Sequence, residues 1–165
     1  SVVRYGNVIS SRGSVIPFFK NQSKSGIMTI THPDMTRFMI NLDQAIECVF
    51  YAFKESLGGE IFVSKIPSMK VVDIAKTISS YAKIKYIGIR PGEKIHEQMI
   101  GLEDAPYTYE YEKYFKILPA IYDIYKNKRY VKNGLKVKSN FVYSSNKNKK
   151  WMTTKELKNW ITKNS

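Results

Sequence analysis

The stretch Arg90-Pro91-Gly92-Glu93 combines a cation and a carboxylate across a tight turn, after an apolar segment typical of a strand. An arginine can bind a diphosphate through charge-assisted hydrogen bonds, and a carboxylate can accept two hydrogen bonds from a ribose diol. Ligands of open α/β sheets bind where the strands end. Arg90 and Glu93 are therefore a candidate pair for holding a nucleotide.

A second candidate is the loop that follows Arg4-Tyr5-Gly6-Asn7. The side-chain amide of Asn7 can donate a hydrogen bond to a phosphate or sugar oxygen, and Gly6 allows another group to approach the backbone closely. The next polar residues supply hydroxyl groups, backbone donors and a cation: Ser10, Ser11, Arg12, Gly13 and Ser14. This composition suits an anion or a ribose, although an ordinary turn remains the alternative.

Arg37 is a third candidate, because it stands between an extended TITHPDM segment and the first clear helix. An arginine at a helix entrance can bind an anion with two hydrogen bonds. A salt bridge to Asp34 or Asp43 is an equally good interpretation.

Hydrophobic periodicity predicts the helices that would position these residues. The clearest helix follows Asn41 and ends at Gly58-Gly59, since glycine pairs commonly end helices. Its apolar stripe consists of Leu42, Ile46, Val49, Phe50, Phe53 and Leu57. A second helix is predicted with Ser68 as its N-cap and a buried face of Val71, Ile74, Ala75 and Ile78.

Short runs of β-branched and aromatic residues predict strands at the first residues of the chain and at the segments EIFVSKIP, KIKYIGI, YFKIL and NFVYSS. A short helix is predicted from Glu93 to Ile100. Thr153 and Glu156 form a capping box for a last helix. Strands that alternate with helices predict an α/β fold.

The sequence argues against several classes of site. It contains no Gly-x-Gly-x-x-Gly or Gly-x-x-x-x-Gly-Lys motif, so we expect no phosphate cradle of those kinds in this chain. The single cysteine, Cys48, and the two histidines, His32 and His96, are too isolated to predict a metal site. The longest unbroken apolar run is far shorter than a membrane helix. We expect a soluble cytoplasmic protein.

The net charge of +13 is concentrated near the end of the chain. Residues 111–165 contain 14 basic and 3 acidic groups. Such a segment could bind phosphates, but its charges follow no helical face and match no nucleic-acid motif. We therefore favour a solvated surface, with no nucleic acid as a partner.

Five stretches, in order, resemble the carboxyl-terminal half of extended short-chain dehydrogenase/reductases that act on nucleotide sugars, especially the configuration-inverting UDP-N-acetylglucosamine 4,6-dehydratases. They are RYGNVISSRGSVIPFF, TITHPDMTRFMINLDQAI, GGEIFVSKIPSMKVVDIA, IGIRPGEKIHEQMI and FVYSSNKNKKW. The resemblance implies an α/β fold, namely the carboxyl-terminal part of an NADP-binding Rossmann-type enzyme. Residues 1–20 would end the Rossmann core, 21–125 would form the substrate-binding subdomain, and 126–165 would be a basic extension.

The resemblance also implies roles for individual residues. Asn7, Thr29, Thr31, Arg37, Arg90 and Glu93 would contact the UDP-sugar, and Val8, Ile9, Ser10, Ser11 and Arg12 would lie along NADP. In this family the sugar is oxidised at C4, water is eliminated across C5 and C6, and C5 is inverted as the hydride returns to C6. The family's catalytic residues lie upstream of the matched part, so none is expected in this chain.

The resemblance predicts a fragment without dehydratase activity of its own, and a homo-oligomer for the full-length protein. Three alternatives stay open. The first is another nucleotide-sugar epimerase or dehydratase of the same fold. The second is a basic module that binds nucleic acids or other polyanions, and the third is a non-catalytic remnant that assembles with other chains.

Overall fold

The computed structural model describes residues 1–9, 11, 13–120 and 129–163. The α-helices are α1 Val15–Ser23, α2 Leu42–Glu55, α3 Val71–Ile78 and α4 Thr154–Lys163. The strands are β1 Val2–Arg4, β2 Asn7–Val8, β3 Ile27–Ile30, β4 Thr36–Ile40, β5 Ile61–Ser64, β6 Ser68–Lys70, β7 Lys83–Tyr86, β8 Gln98–Ile100, β9 Thr108–Glu110, β10 Tyr114–Ile117, β11 Leu135–Lys136 and β12 Tyr143–Ser144.

These elements form two compact units that alternate along the chain. Unit 1 comprises Ser1–Tyr5, Asp43–Lys65 and Gln98–Ser144, and unit 2 comprises Gly6–Leu42, Ile66–Glu97 and Ser145–Ser165. The divisions predicted at residues 20 and 125 stay predictions.

Unit 1 contains a five-stranded mixed sheet in the order β1-β5-β10-β9-β11. β1 and β5 are parallel, whereas the remaining neighbours are antiparallel. Helix α2 packs on this sheet through Ala52, which lies in a cluster with Phe62 and Tyr114. The loop after α2 is tied to Glu60, whose carboxylate accepts hydrogen bonds from Leu57 N and Gly58 N at 2.9 and 2.8 Å.

The apolar stripe that predicted α2 is exposed. The helix is present as predicted, but it buries the small residues Ala45 and Ala52 and leaves Phe50 and Phe53 71% and 87% exposed. Alanine lets a helix approach a sheet closely, so the larger side chains point away from it. The stripe therefore predicted the helix correctly without marking the face that packs on the described sheet.

Unit 2 contains two small sheets. In one, β2 runs parallel to β4 and β4 runs antiparallel to β6; in the other, β3 and β7 are parallel. Helices α1 and α3 pack beside these strands, and α4 packs on α3. Their shared core includes Ile16, Phe19, Met28, Ile30, Met39, Met69, Ile74 and Leu157. This core fixes the ends of β2, β3 and β7, where the candidate binding residues lie.

Most predicted elements of both units are confirmed. The strands predicted at EIFVSKIP, KIKYIGI, YFKIL and NFVYSS correspond to β5, β7, β10 and β12. The capping box of α4 is also present: Thr153 N donates to Glu156 Oε2 at 2.7 Å, and Glu156 N donates to Thr153 Oγ1 at 3.2 Å.

Two predictions of local structure are wrong. Ser68 is not a helix N-cap, because its backbone pairs with Lys150 O and Met152 N and places it in β6. The helix predicted from Glu93 to Ile100 is absent, and the chain forms turns that lead into β8. In both cases pairing with distant segments overrides the local pattern.

Several short elements were missed, among them helix α1 and strand β4. Helix α1 carries Pro17 in its first turn, a position that suits proline, and buries Ile16 and Phe19. Strand β4 contains Arg37, which the sequence had placed at a helix entrance. Within the described ranges, no helix is long and apolar enough to cross a membrane.

Candidate functional site

The parallel strands β3 and β7 bring two candidate stretches together in unit 2. Thr29 pairs with Lys85 and Ile30 with Tyr86, so both strands end at the same edge of their sheet. Thr31 directly follows β3, and the Arg90-to-Glu93 turn follows β7 a few residues later. The expected placement of the Arg90-to-Glu93 turn after a strand is confirmed.

Glu93 is fixed by contacts to both of its carboxylate oxygens. Thr31 Oγ1 donates to Oε1 at 2.8 Å, and the backbone N–H of Arg90 donates to Oε2 at 3.3 Å. The hydrogen bond from Thr31, together with the one from the Arg90 backbone, lowers the pKa of Glu93 below its usual range, although desolvation partly opposes this effect. The group is therefore an ionised acceptor, and each oxygen keeps a lone pair for a further donor.

The turn itself presents Arg90 to solvent. Glu93 N donates to Arg90 O at 3.0 Å, and Gly92 has a φ of +80°, a conformation that favours glycine. The Arg90 side chain is exposed and its charge also lowers the pKa of Glu93. A cation and a carboxylate thus stand side by side on a short turn.

Thr29 is held from the other side by helix α1. Gln22 Nε2 donates to Thr29 Oγ1 at 2.8 Å, and Thr29 N donates to Gln22 Oε1 at 2.9 Å. This paired contact fixes the orientation of the threonine. Its hydroxyl hydrogen can still be donated to a ligand.

Arg37 uses its donors within the protein. Its Nη1 donates to Thr36 O at 2.7 Å and to Ile95 O at 3.0 Å, and its Nη2 donates to Lys94 O at 3.0 Å. Its ion-pair partner is Glu97, with 3.7 Å between Nε and Oε1, rather than the Asp34 or Asp43 that the sequence suggested. Arg37 therefore holds the segment after Glu93, and its role as a phosphate ligand stays a prediction.

Glu97 connects Arg37 to Asn7. Its Oε1 accepts from Asn7 Nδ2 at 3.2 Å, and its Oε2 accepts from Phe38 N at 3.0 Å. Because a carboxylate can only accept, it fixes the orientation of the Asn7 amide. Within the described part of the chain, the second N–H and the Oδ1 of Asn7 have no partner and are available to a ligand. The sequence analysis missed Glu97, although it lies in IGIRPGEKIHEQMI, the stretch that also contains Arg90 and Glu93.

Asn7 is brought here by a close approach between backbones. A Cβ atom at Gly6 would lie 2.5 Å from Phe38 Cβ and 2.6 Å from Phe38 O, so only glycine fits. Asn7 pairs with Met39 as β2 runs along β4. The close approach that Gly6 was predicted to allow is therefore made by the protein's own strand.

The hydroxyl groups of Thr36 and Ser145 form a buried pair that contacts the segment containing His96 and Glu97. Ser145 is fully buried; its Oγ lies 2.6 Å from Thr36 Oγ1 and accepts from Glu97 N at 2.9 Å. His96 Nδ1 lies 2.8 Å from Thr36 Oγ1. Burial lowers the pKa of His96, and the charge of Asp34 partly opposes this effect. The second serine of the FVYSS stretch thus positions Glu97.

The loop predicted to lie along a cofactor is only partly described, because Ser10 and Arg12 fall outside the described residues. Val8 belongs to β2, and the Ile9 side chain is buried in the core of unit 2. Ser11 is exposed and its hydroxyl donates to Val8 O at 2.9 Å. The buried Ser14 Oγ has no hydrogen-bond partner among the described residues, which leaves a donor available in this loop.

Comparison with known proteins identifies the family. Residues 1–119 match the family model described as polysaccharide biosynthesis protein. The chain belongs to this polysaccharide biosynthesis protein family. Two Campylobacter jejuni members named UDP-N-acetylglucosamine 4,6-dehydratase (inverting) are 46% identical over 163 residues and 45% identical over 164 residues. The matches cover 94% and 95% of this chain and 49% of each relative.

Other relatives carry a different name or are known by structure. A Rickettsia akari protein named UDP-glucose 4-epimerase is 40% identical over 162 residues, covering 95% of this chain and 47% of that protein. The X-ray structure of Pen from Bacillus thuringiensis has a TM-score of 0.80 at 33% identity, covering 98% of this chain and 49% of that one.

These matches confirm both the resemblance and the α/β fold class. The chain spans about half the length of the relatives it matches and corresponds to their carboxyl-terminal half.

Proposed function

We propose that this chain is the substrate-binding half of a UDP-N-acetylglucosamine 4,6-dehydratase used in surface glycan synthesis. The observation that carries the proposal is the ionised Glu93 carboxylate, which Thr31 and the Arg90 backbone hold beyond the ends of two parallel strands. Glu93 accepts hydrogen bonds from the uridine ribose hydroxyls, and Arg90 neutralises the diphosphate. Similarity to relatives named for this activity supports the assignment.

The remaining polar residues complete the substrate contacts. Thr29 and Thr31 border the uridine, with Thr29 fixed by Gln22. Asn7, oriented by Glu97, contacts the diphosphate or the sugar. Arg37 contributes chiefly by holding the carbonyl groups of the segment before Glu97, and its positive charge adds to the attraction for phosphate.

The donor set of the loop after β2 fits NADP. Val8, Ile9, Ser10, Ser11 and Arg12 would hold it, with the buried Ser14 hydroxyl as a further donor. NADP, when bound, supplies hydride acceptance from the sugar C4 and hydride return to C6. The proposed reaction of the full-length protein eliminates water across C5 and C6 and inverts C5.

The chain alone is expected to have no dehydratase activity. Hydride transfer requires the nicotinamide and the sugar C4 to be fixed near contact distance, and half a site cannot supply that geometry. Incubation with UDP-N-acetylglucosamine and NADP, followed by NMR of the sugar, should show no 4-keto product. Turnover by the chain alone would contradict this expectation.

The binding role of Arg90 is tested by titrating the chain with UDP and following amide chemical shifts by NMR. Loss of a charge-assisted hydrogen bond to phosphate should weaken UDP binding of Arg90→Ala by about 1.5–3 kcal/mol, or roughly 10- to 150-fold in Kd. Lys94→Ala is the matched control, because Lys94 is an exposed cation on the same segment. Equal dissociation constants for Arg90→Ala and wild type would refute the role.

The same titration tests Glu93. Glu93→Gln is expected to bind UDP more weakly with an unchanged melting temperature, since the carboxylate lies on an exposed turn. A large fall in melting temperature would instead mark Glu93 as a structural residue.

A second candidate, supported by the Rickettsia relatives named UDP-glucose 4-epimerase, is an epimerase of the same fold. The two functions share the nucleotide and differ in the sugar. Competition between UDP-glucose and UDP-N-acetylglucosamine for the chain, with product NMR on the full-length protein, separates them.

A polyanion-binding module is the alternative from another class, and it rests on the basic residues 111–165. It predicts DNA binding that weakens steeply with salt and does not respond to UDP. Saturable UDP binding with little affinity for DNA would exclude it.

A further inference from the structure

The side chain of Gln22 is fixed between helix α1 and strand β3. Its Oε1 accepts from Thr29 N at 2.9 Å, and its Nε2 donates to Thr29 Oγ1 at 2.8 Å. The chain passes from α1 to β3 through a short turn, in which Ser25 N donates to Gln22 O at 3.0 Å. These contacts hold both the backbone and the side chain of Gln22 in place.

The backbone contact decides which way round the Gln22 amide lies. A backbone N–H can only donate, so the atom that faces Thr29 N must be the amide oxygen. The NH₂ group then faces the Thr29 hydroxyl, and the hydroxyl oxygen accepts its hydrogen bond. The hydroxyl hydrogen must therefore point away from Gln22, and no residue in the described part of the chain accepts it. Gln22 thus leaves Thr29 with a donor to offer to a ligand.

Strand β3 places this hydroxyl on the same face as Glu93. Side chains alternate along a strand, and Met28 and Ile30 are buried in the core of unit 2. Thr29 and Thr31 therefore face the other way. Thr31 Oγ1 donates to Glu93 Oε1 at 2.8 Å. Thr29 precedes Thr31 by two residues, which is roughly 7 Å along an extended chain.

This spacing fits a pyrimidine nucleoside whose ribose hydroxyls are held by Glu93. The O2 atom of a pyrimidine lies beside the ribose, whereas the group on C4 lies on the far side of the ring. A base that extends from Glu93 along β3 therefore brings its C4 group to Thr29. Uracil has a carbonyl oxygen there, which accepts a hydrogen bond, and cytosine has an amino group, which donates one.

We infer that Gln22 is a positioning residue that selects uracil over cytosine, because it keeps the Thr29 hydroxyl hydrogen free to donate to O4 of the base. The inference rests on the proposed function, in which Thr29 and Thr31 border the uridine. It adds the residue that sets the direction of the hydrogen bond and the base atom that receives it.

Gln22→Glu reverses this hydrogen bond with little change of shape. A glutamate is ionised at neutral pH and can only accept, so the Thr29 hydroxyl must donate to it while Thr29 N keeps its partner. The chain is titrated with UDP and with CDP, and binding is followed by amide chemical shifts in NMR. The ratio of the CDP to the UDP dissociation constant should fall roughly 3- to 10-fold, the effect of one neutral hydrogen bond. Both nucleotides carry the same diphosphate, so repulsion from the new charge cancels in this ratio.

Three variants separate the hydroxyl from the charge. Asn21→Asp is the matched control, because it adds the same charge at an exposed neighbouring position of α1, and it should leave the ratio unchanged. Thr29→Val should lower the ratio as Gln22→Glu does, whereas Thr29→Ser keeps a hydroxyl and should preserve it. In the Thr29→Val background, Gln22→Glu should not change the ratio further, because no hydroxyl is left to turn.

An unchanged ratio in Gln22→Glu or in Thr29→Val would overturn the inference, and so would an equal fall in Asn21→Asp. Circular dichroism checks that each variant folds, and if Gln22→Glu does not, the ratios of Thr29→Val and Thr29→Ser decide the question. A wild-type chain that binds UDP and CDP equally well would overturn this inference and leave nucleotide binding intact. A wild-type chain that binds neither nucleotide would contradict the proposed function as well.

Discussion

The sharpest test of the site is the conservative substitution Glu97→Gln. In the native protein the two carboxylate oxygens accept hydrogen bonds from different donors, Asn7 Nδ2 at 3.2 Å and Phe38 N at 3.0 Å. Glutamine has one acceptor oxygen, so its NH₂ group must face one of these donors. The backbone N–H of Phe38 cannot rotate away, because β4 pairs with β2 and β6. The glutamine oxygen should therefore keep Phe38, and the Asn7 amide must turn over.

The magnitude follows from the contacts that change. A hydrogen bond to a charged group contributes about 1.5–3 kcal/mol. The ion pair with Arg37 spans 3.7 Å and is partly exposed, so its loss adds at most about 1 kcal/mol. The hydrogen bond from Phe38 N is kept but now goes to a neutral oxygen, which weakens it. The inverted Asn7 amide can accept a hydrogen bond from the glutamine NH₂ group. We therefore expect Glu97→Gln to lower the free energy of unfolding by about 1–3 kcal/mol.

Urea denaturation followed by circular dichroism measures this loss, and an Asn7→Ala background isolates its cause. Without the Asn7 amide, the NH₂ group of the introduced glutamine still lies near Arg37 Nε but no longer meets the Asn7 donor, so the substitution should cost less there than in the wild-type background. The difference between the two costs is the coupling free energy between residues 7 and 97. Equal costs in both backgrounds would refute the argument that Glu97 orients Asn7.

Three further predictions concern other parts of the chain. Gly6→Ala should lower the free energy of unfolding by about 1–3 kcal/mol, because its Cβ would overlap Phe38; urea denaturation measures it, and an unchanged midpoint would contradict the packing. Glu60→Gln should cost a similar amount, about 1–3 kcal/mol by the same assay, since Glu60 accepts hydrogen bonds from two backbone N–H groups; native-like stability would count against that role. For His96, burial lowers the pKa below the ordinary 6.5, so the unfolded chain binds the proton first as pH falls. The free energy of unfolding should decrease below pH 6.5, as measured by urea denaturation at several pH values. A His96→Gln variant whose unfolding midpoint varies with pH as strongly as that of the wild type would contradict this.

The sequence predicted elements whose patterns are local. The apolar spacing of α2, the capping box of α4 and the β-branched run of β5 each lie within a few residues, so one sequence suffices to detect them. It failed at Ser68 and at residues 93–100, where pairing with distant segments decides the backbone conformation. It also misplaced the burial of α2, because periodicity shows that a helix has an apolar face but not which partner covers it.

The residues of the candidate site likewise fall into those that were predicted from the sequence and those that were missed. Arg90 and Glu93 were predicted because a Pro-Gly turn after a strand is visible in sequence, whereas Thr31 was predicted only from the family resemblance. The structure brings the three together. Glu97 and Ser145 were missed because their importance depends on contacts across many residues of sequence. The one available signal was a second carboxylate, four residues after Glu93, in a segment already assigned to the site.

Some of the basic side chains in residues 111–165 pack on aromatic rings in the structure. Lys116 is only 5% exposed, and its Nζ lies 5.1 Å from the centre of the Phe62 ring. Lys136 Nζ lies 4.5 Å from the centre of the Tyr109 ring and donates to a backbone oxygen. Burial lowers the pKa of both amines, as expected when cations are withdrawn from water. Part of the basic excess in residues 111–165 therefore packs on aromatic rings within unit 1, and a count of charges overstates what this segment offers to a polyanion.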